Sequence, residues 1–409
     1  MLTNEEKRVF ICSTTEKPTK PSEVSPETPL EGLNLNWTER DLPERERTKH
    51  VHRMHPYLGK FIPQLVEIFL RKYFKAGQTV LDPFVGSGTT LVQANELEIN
   101  SIGYDISVFN TLLCNAKTAQ YDLTRVRSEV LDALDKLSKS KETKEQQLHL
   151  WENTATYDTT LNYQDSVYLR TWFAPQALTE LIKYKDLINS DNYLYTDLLK
   201  IILTRSARSA RLTTHFDLDF PKRPQTKPYW CYKHSRECLP TQEALKFLRR
   251  YSLDTLKRIE EFSHKRTNAS VQISHIDSRE VPIPQIDGII TSPPYIGLID
   301  YHDQHAYAYH LLGLHDRSES EIGPATNGVG QKAQQKYLED ISTVFRRCAS
   351  SLPSGGRFIV VAGDKSDLYP KIGEMAGVEV EAILKRHVNR RTGRRASEFY
   401  ESIFIWRKP

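Results

Sequence analysis

Two short stretches of the chain carry residue types that could do chemistry. The first is Ser292-Pro293-Pro294-Tyr295. Two prolines inside a buried strand would remove ladder hydrogen bonds, so this tetrapeptide belongs just beyond the carboxyl end of the preceding run DGIIT. Ligands bind at that end of open parallel sheets. The paired prolines stiffen the loop and set a carbonyl beside the Ser292 hydroxyl, with the Tyr295 ring next to both. Such a set can accept two hydrogens and stack a planar ring; a turn with a packed tyrosine that serves structure alone is the competing reading. The second stretch is LDPFVGSGTT, where Gly86 and Gly88 stand at a strand-to-helix junction. Lacking Cβ atoms, these positions let backbone N–H groups and a helix N-terminus approach a small polar ligand. A phosphate loop is disfavoured because no lysine follows Gly88, and a dinucleotide fingerprint because Leu91 occupies the place of a third glycine or alanine. Asp105, about 20 residues further on, ends a second strand where a ribose diol would present two donors. A glycine turn that only closes the junction remains the alternative.

These loops need a sheet to hold them. FIPQLVEIFLRKYF places Phe61, Leu65, Ile68, Phe69 and Phe74 at helical spacing, with Pro63 tolerable in a first turn. QTVLDPFVGSGTTLVQANEL followed by NSIGYDIS predicts a β-α-β unit. Over 121–268 the strand signals stop. TRVRSEVLDALDKL, PQALTELIKYKDLI and ALKFLRRYSLDTLKRIEEF have helical periodicity, KSKETKEQQ reads as a charged linker, and THFDLDFPKRPQTKPYW as a proline-broken loop. Strand signals resume at SVQISHID, DGIITSPPY and GRFIVVAGD, and end in the pair EVEAILKRHV and YESIFIWRK. The pattern predicts an α/β fold: a doubly wound, mostly parallel sheet closed by an antiparallel C-terminal edge hairpin and interrupted by a largely helical insertion. YESIFIWRK should be the final edge strand. The divisions are a flexible N-terminal segment at 1–48, a first sheet-forming part at 49–120, the insertion at 121–268 and the second part at 269–409. Pro18, Pro21, Pro26 and Pro29, among charged and hydroxyl residues, motivate the flexible segment.

Composition sets outer bounds. With 409 residues and 39% hydrophobic content the chain is globular, with length for two or three units. Lys+Arg 56 against Asp+Glu 52 leaves a net charge of +4, which permits a polyanionic partner without demanding one. Local charge is more telling. KRHVNRRTGRR holds Lys385, Arg386, Arg390, Arg391, Arg394 and Arg395 and no acid, and RSARSAR sets Arg205, Arg208 and Arg211 on one helix face. The competing readings are a solvated hairpin loop and a helical cap whose arginines pair with local acids. Cys12, Cys114, Cys231, Cys238 and Cys348 are scattered with no C-x-x-C pair, so neither a disulfide framework nor a zinc cluster is expected. No window is apolar enough to span a bilayer, and MLTNEEKRVFICS lacks the order of an export signal. A reducing, cytoplasmic setting with no membrane contact follows as the expectation. Trp172, Phe173 and Trp230 are expected in the core.

The chain resembles the S-adenosylmethionine-dependent DNA methyltransferases that modify exocyclic amino groups. The matching residues are HPYLGKFIPQL (55–65), LDPFVGSGTT (81–90), GYDIS with Asp105, HIDS with Asp277, and TSPPY (291–295), covering roughly 50–120 and 269–409. The resemblance implies a Rossmann-like domain with S-adenosylmethionine as cofactor. It implies that Phe84, Gly86 and Gly88 line the methionine half with Asp82 near its amino group, that Asp105 holds the ribose hydroxyls and Asp277 the adenine amino group, and that Lys60-Phe61 closes the pocket. The serine form of the tetrapeptide looks like the cytosine-N4 branch; Asp or Asn in place of Ser292 marks mostly adenine-N6 enzymes. Cofactor segments here precede the insertion and the SPPY loop follows it, whereas SPPY enzymes commonly show other orders.

A cytosine amino nitrogen is a poor nucleophile because its lone pair is delocalised into the ring. Ser292 and Pro293 are assigned to accept its two N–H bonds, with Pro294 stiffening the turn and Tyr295 stacking on the base; no metal and no cysteine nucleophile is needed. The base must leave the duplex, so a basic surface is required. Lys385 to Arg395 would meet the backbone of double-stranded DNA, and Arg205, Arg208 and Arg211 would read bases from the insertion. His302, His305 and His310 in YHDQHAYAYH lack an acid cluster, so a helix lining the base pocket is expected rather than a metal site. Restriction–modification is the family's usual context, implying a cognate restriction endonuclease as partner. Rival readings are an adenine-N6 enzyme, an RNA guanine-N2 enzyme and a non-catalytic DNA-binding protein.

Overall fold

The computed structural model describes residues 10–11, 17–148, 166–213, 223–231, 234–388 and 399–409. After the two-residue strand β1 (Phe10–Ile11), a short helix α1 (Glu44–Arg47) leads to α2 (Pro63–Tyr73). Pro63 opens α2, where its missing N–H costs nothing, and Leu65, Val66, Ile68 and Phe69 form its buried face. The β-α-β unit follows as β2 (Thr79–Asp82), α3 (Thr89–Glu96) and β3 (Asn100–Asp105), and then α4 (Val108–Thr118). The insertion contributes α5 (Leu123–Leu148), α6 (Val167–Trp172), α7 (Pro175–Ser190), α8 (Thr196–Ala210), the hairpin β4 (Tyr229–Cys231) and β5 (Arg236–Cys238), and α9 (Leu245–Ser263). The second part supplies β6 (Val271–His275), β7 (Gly288–Thr291), α10 (Tyr301–Gln304), α11 (Ala306–Leu312), α12 (Gln331–Ser350), β8 (Arg357–Ala362), α13 (Tyr369–Ala376), β9 (Glu379–Val388) and β10 (Phe399–Arg407).

Eight strands form one sheet in the order β1-β9-β10-β8-β7-β2-β3-β6. The run from β8 to β6 is parallel throughout, and β7, buried along its whole length, lies in the middle. A parallel sheet with helices around it is the α/β, Rossmann-like architecture expected from the alternation of strand and helix signals. One detail differs. β10 is not the edge strand: it pairs antiparallel with β8 on one side and β9 on the other. The hairpin is folded back into the sheet, which periodicity cannot reveal, because an inner and an outer strand of a hairpin share the same alternation. Since β10 opposes both neighbours, β9 runs in the direction of β8, and the connection after Val388 leaves from the carboxyl rim.

Two other expectations are corrected. Residues 17–48 are packed rather than flexible: Val24, Leu33 and Leu35 share a core with Leu65 and Phe69 of α2 and Ile403 of β10. Thr19 and Asn34 bond across the segment at 2.8 Å, and Lys72 donates to the Thr28 carbonyl. A few apolar anchors suffice there because proline-rich backbone has less conformational freedom to lose. KSKETKEQQ is also no linker; it continues α5, as Lys, Glu and Gln are strong helix formers wherever no breaker intervenes.

The insertion does not stand apart from the sheet. Leu181, Leu199 and Leu248 from its helices belong to one core with Leu113 of α4 and Tyr307 of α11. Its helices are therefore fastened to the elements that flank the carboxyl rim. Among the described residues no helix is long and apolar enough to cross a membrane.

Candidate active site at the carboxyl rim

The turn from β2 into α3 needs both of its glycines. Gly86 has φ of +48° and Gly88 +78°, the left-handed region that a side chain disfavours. A Cβ at Gly86 would stand 3.1 Å from the Tyr57 hydroxyl, and one at Gly88 3.0 Å from Cys114 Sγ. Beneath the turn lies a residue that sequence patterning gave no reason to notice: Lys117, fully buried, donates from Nζ to the Ser87 carbonyl at 2.6 Å. Burial pushes its ammonium down to about 7.

Asp82, expected near the cofactor, does not line the cleft. Its carboxylate accepts from Thr90 Oγ1 and Thr291 Oγ1, both at 2.7 Å, and from the Phe84 N–H at 3.1 Å. It is a buried knot tying β2, α3 and the end of β7 together, and burial pushes it up to about 6. Through Thr291, bonded to Asp82 209 positions away in sequence, this knot fixes the approach of the next four residues, Ser292 to Tyr295, to the glycine turn.

An open cleft lies above the knot. Lys60, Phe61, Phe84, Gly86, Asp105, Asp277, Ser292 and Pro294 all line it. Gly88 lies behind the turn. Asp105 accepts from Gly86 N and Ser107 N at 2.8 Å and from Asn110 Nδ2 at 3.1 Å, while burial raises its pKa. Asp277 is clasped by Arg279, whose Nη2 lies 2.6 Å away; burial would raise this carboxyl, but the Arg279 hydrogen bonds and charge hold it below the usual range. Lys60 donates to the His52 carbonyl at 2.8 Å, and burial brings it down to about 8.

In the SPPY turn the Ser292 hydroxyl is buried without a hydrogen bond of ordinary geometry. Buried polar atoms are rarely left so, and one facing a cleft is a place for a ligand donor. Pro293 is buried, and the Pro294 carbonyl is held by the Tyr337 hydroxyl at 2.8 Å. Tyr295 does not line the cleft. Its hydroxyl donates to Glu401 at 3.0 Å and its ring stacks on Phe399. Glu401 in turn accepts from Arg386 Nε at 2.8 Å. Arg386 is thus a buried ion-pair partner on β9 and is not exposed to a phosphate, contrary to expectation. Arg390, Arg391, Arg394 and Arg395 lie outside the described residues.

The remaining wall includes Tyr57, Tyr301, His302 and Glu321. Glu321 accepts from the His302 and Tyr301 N–H groups and contacts His302 Nδ1, fixing the first turn of α10. His305, behind the wall, packs on Phe109 and Tyr57, and burial drives it down to about 3, so it is a neutral ring. His310 bonds to Ser166 elsewhere. The three histidines do not converge, and Tyr301 and His302 of this segment line the cleft; Tyr57 lies within the matched run 55–65 without having been singled out, and Glu321 carried no signal of its own.

The insertion arginines also differ from expectation. Arg205 pairs with Asp254 at 2.7 Å and lies 4.2 Å from the Tyr251 ring. Arg211 is 1% exposed, its guanidinium near the rings of Trp172 and Tyr307. Neither is free to reach a base edge; Arg208 is half-buried. Local acids and aromatics have absorbed these charges. Trp230, expected in the core, is 56% exposed, whereas Phe173 is buried.

Residues 8–113 match the N6/N4 family described as DNA methylase. The chain is 39% identical to the type II methyltransferase M.MjaII of Methanocaldococcus jannaschii, across 91% of this chain and 83% of that protein. It is 24% identical to the type II methyltransferase M.BsoBI of Geobacillus stearothermophilus, across 73% of this chain and 60% of that one. Among solved structures, the rRNA methyltransferase aviRa from Streptomyces viridochromogenes aligns over 86% of this chain and 88% of its own at 12% identity, with a TM-score of 0.32, too low to bear on function.

Proposed function

The chain belongs to the DNA methyltransferases that act on exocyclic amino groups, and from that premise we propose that its target is the N4 nitrogen of a cytosine in a specific duplex DNA sequence, modified alongside a cognate restriction endonuclease. The observation that carries this reading is a single cleft lined by the glycine turn, by Asp105 and by Ser292. The residues suit S-adenosylmethionine: Gly86 leaves backbone exposed where a Cβ would reach Tyr57, and carboxylates stand where hydroxyl and amino donors would come. When bound, that cofactor supplies an electrophilic methyl group. Asp105 would accept from the ribose hydroxyls and Asp277 from the adenine amino group. Phe84 and Gly86 would flank the methionine half, Lys60 and Phe61 would cover it, and Asp82 and Gly88 would hold the turn from behind.

On the opposite wall, Ser292 Oγ would accept one N–H bond of the cytosine amino group, and the carbonyl of the adjoining, buried Pro293 the other. Holding both hydrogens aims the nitrogen lone pair at the donor side of the cleft, an orientation effect that needs no acid or base of shifted pKa. Tyr295, expected to stack on the base, instead packs behind the cleft, where its hydroxyl, tied through Glu401 to Arg386, would hold the turn that carries Ser292. As the nitrogen gains its methyl group it sheds one proton to water. A hydroxyl rather than a carboxyl at position 292 favours cytosine over adenine, by the resemblance noted above. Unstacking the base costs a few kcal/mol, offset by phosphate contacts. Arg390, Arg391, Arg394 and Arg395 are assigned to those contacts because the connection between β9 and β10 leaves from the carboxyl rim.

The test is direct. Unmodified duplex DNA is incubated with the chain and S-adenosylmethionine bearing a deuterated methyl group, then digested to nucleosides for mass spectrometry. Label in N4-methyldeoxycytidine is the expected result. Label in N6-methyldeoxyadenosine would overturn the base assignment, and absence of label in DNA despite bound cofactor would overturn catalysis.

A further inference from the structure

The hairpin β4–β5 is an element that its own packing does not explain. Each strand has three residues, and the pair forms a sheet by itself. Trp230, Arg236 and Glu237 are exposed, and Cys231 is its one buried strand residue. So short a two-stranded ribbon is marginal in water, and small elements without a core are held by staples. The hairpin does have donors. Cys231 Sγ, Cys238 Sγ and a ring nitrogen of His234 lie within 4.8 Å of one another.

Local geometry brings them together. The His234 N–H donates to the Cys231 carbonyl at 3.1 Å, closing a turn, and Ser235 takes a left-handed φ of 49° where β5 begins. Pairing of Cys231 with Arg236 then sets Cys238 just beyond on the facing strand. His234 Nδ1 stands 3.4 Å from Cys238 Sγ. In a zinc tetrahedron with Zn–S of ~2.3 Å and Zn–N of ~2.0 Å, nitrogen and sulfur ligands are about 3.5 Å apart. His234 and Cys238 therefore already sit at the spacing of a coordination edge, with Cys231 Sγ within 4.8 Å of both. Two thiolates and an imidazole select zinc or cobalt over magnesium or calcium. The spacing C-x₂-H-x₃-C differs from a C-x-x-C pair because histidine holds the second place.

We propose that Cys231, His234 and Cys238 bind one zinc-class divalent ion that fastens β4 to β5, with water in the fourth position. Metal affinity then stabilises a surface element of the insertion. The test uses the full chain, reduced and stripped of metal, titrated with cobalt(II). The expected result is one equivalent bound with thiolate-to-cobalt charge-transfer absorption, bleached by one equivalent of zinc. The Cys231→Ser/Cys238→Ser double variant loses that absorption while still binding S-adenosylmethionine. His50, His52 and Glu96 also approach one another, but their nitrogen and oxygen donors would give no thiolate band. The proposal is overturned if the band is absent, if it persists in the double variant, or if the zinc-treated chain has lost two hydrogens in mass through a Cys231–Cys238 disulfide.

Discussion

The carboxyl rim of the sheet and the core of the helical insertion both bury charge, and they bury it differently. In the insertion Arg205 faces Asp254 and Tyr251, and Arg211 is enclosed by Trp172 and Tyr307. At the rim Asp105 is held by three donors yet lines an open cleft, and the Ser292 hydroxyl has only a loose contact with Tyr295 and no hydrogen bond of ordinary geometry. A buried polar group whose partners are all supplied by the chain maintains the fold, whereas one without a well-formed hydrogen bond beside a cleft can take a ligand. Arginines on one helix face thus turn out to be internal, and a plain serine becomes the group to test.

The sharpest way to break this contrast is Arg205→Ala. Removing the buried Arg205 loses its packing on Tyr251 and leaves the part-exposed Asp254 with Arg258 alone, and about 3 kcal/mol of stability should be lost. Urea unfolding measures it, while the recognition sequence of the surviving folded protein stays unchanged. Unaltered stability together with relaxed sequence choice would return Arg205 to the DNA interface.

Acid titration separates the regions next. Asp82 has a folded pKa near 6, raised by burial above its ordinary 3.8. A raised carboxyl is most favourable to the fold below the unfolded pKa, and that contribution is lost as pH rises through the folded one, so stability from this group falls between about pH 4 and pH 6. The loss is about 3 kcal/mol at 1.36 kcal/mol per pKa unit. Unfolding curves of the wild type and Asp82→Asn across this window should differ by that slope.

Ser292→Ala tests the leftover hydroxyl. We expect a kcat lower by roughly 10²-fold, the scale seen when one preorganised hydrogen-bonding group is removed. Melting temperature and S-adenosylmethionine affinity should hold, since Ser292 Oγ has no hydrogen bond of ordinary geometry to lose. Rapid-quench methyl transfer read beside calorimetric binding checks both halves. A fall in cofactor affinity instead would place the hydroxyl on the other side of the cleft.

How much of this was legible in the sequence depends on whether local pattern or long-range packing decides each feature. Gly86, Gly88, Asp105 and the strands around them follow from turn chemistry and periodicity, which act over a few residues. The single cleft holding Gly86 and Ser292 was legible through the topology of parallel sheets, because both turns end strands at the same rim. Burial of Arg205, Arg211 and Arg386 was not, since their partners Asp254, Tyr307 and Glu401 come from other elements. Nor was Lys117, whose position under the turn is set by how α4 packs. The packed segment 17–48 hid its few anchors among prolines, and β10 hid its inner place because hairpin order leaves no trace in alternation.

The smallest predicted effect draws the contrast within one charge run. Arg386, buried against Glu401, should act through Tyr295, and Arg391 should act on phosphate. Arg386→Met keeps the aliphatic stem and removes the charge that holds Glu401, so kcat should fall about tenfold, or ~1.4 kcal/mol, as Tyr295 loses its fixed hydroxyl. Because no phosphate contact is lost, the slope of log affinity against log salt should not change. Arg391→Ala should do the reverse, leaving kcat alone and making the slope shallower by about 1. Titrations of duplex DNA at several salt concentrations, read beside single-turnover rates, separate the two. If Arg386→Met flattens the salt dependence, its guanidinium reaches DNA during the reaction, and a buried, paired charge is then no longer a sign of a purely structural role at this rim.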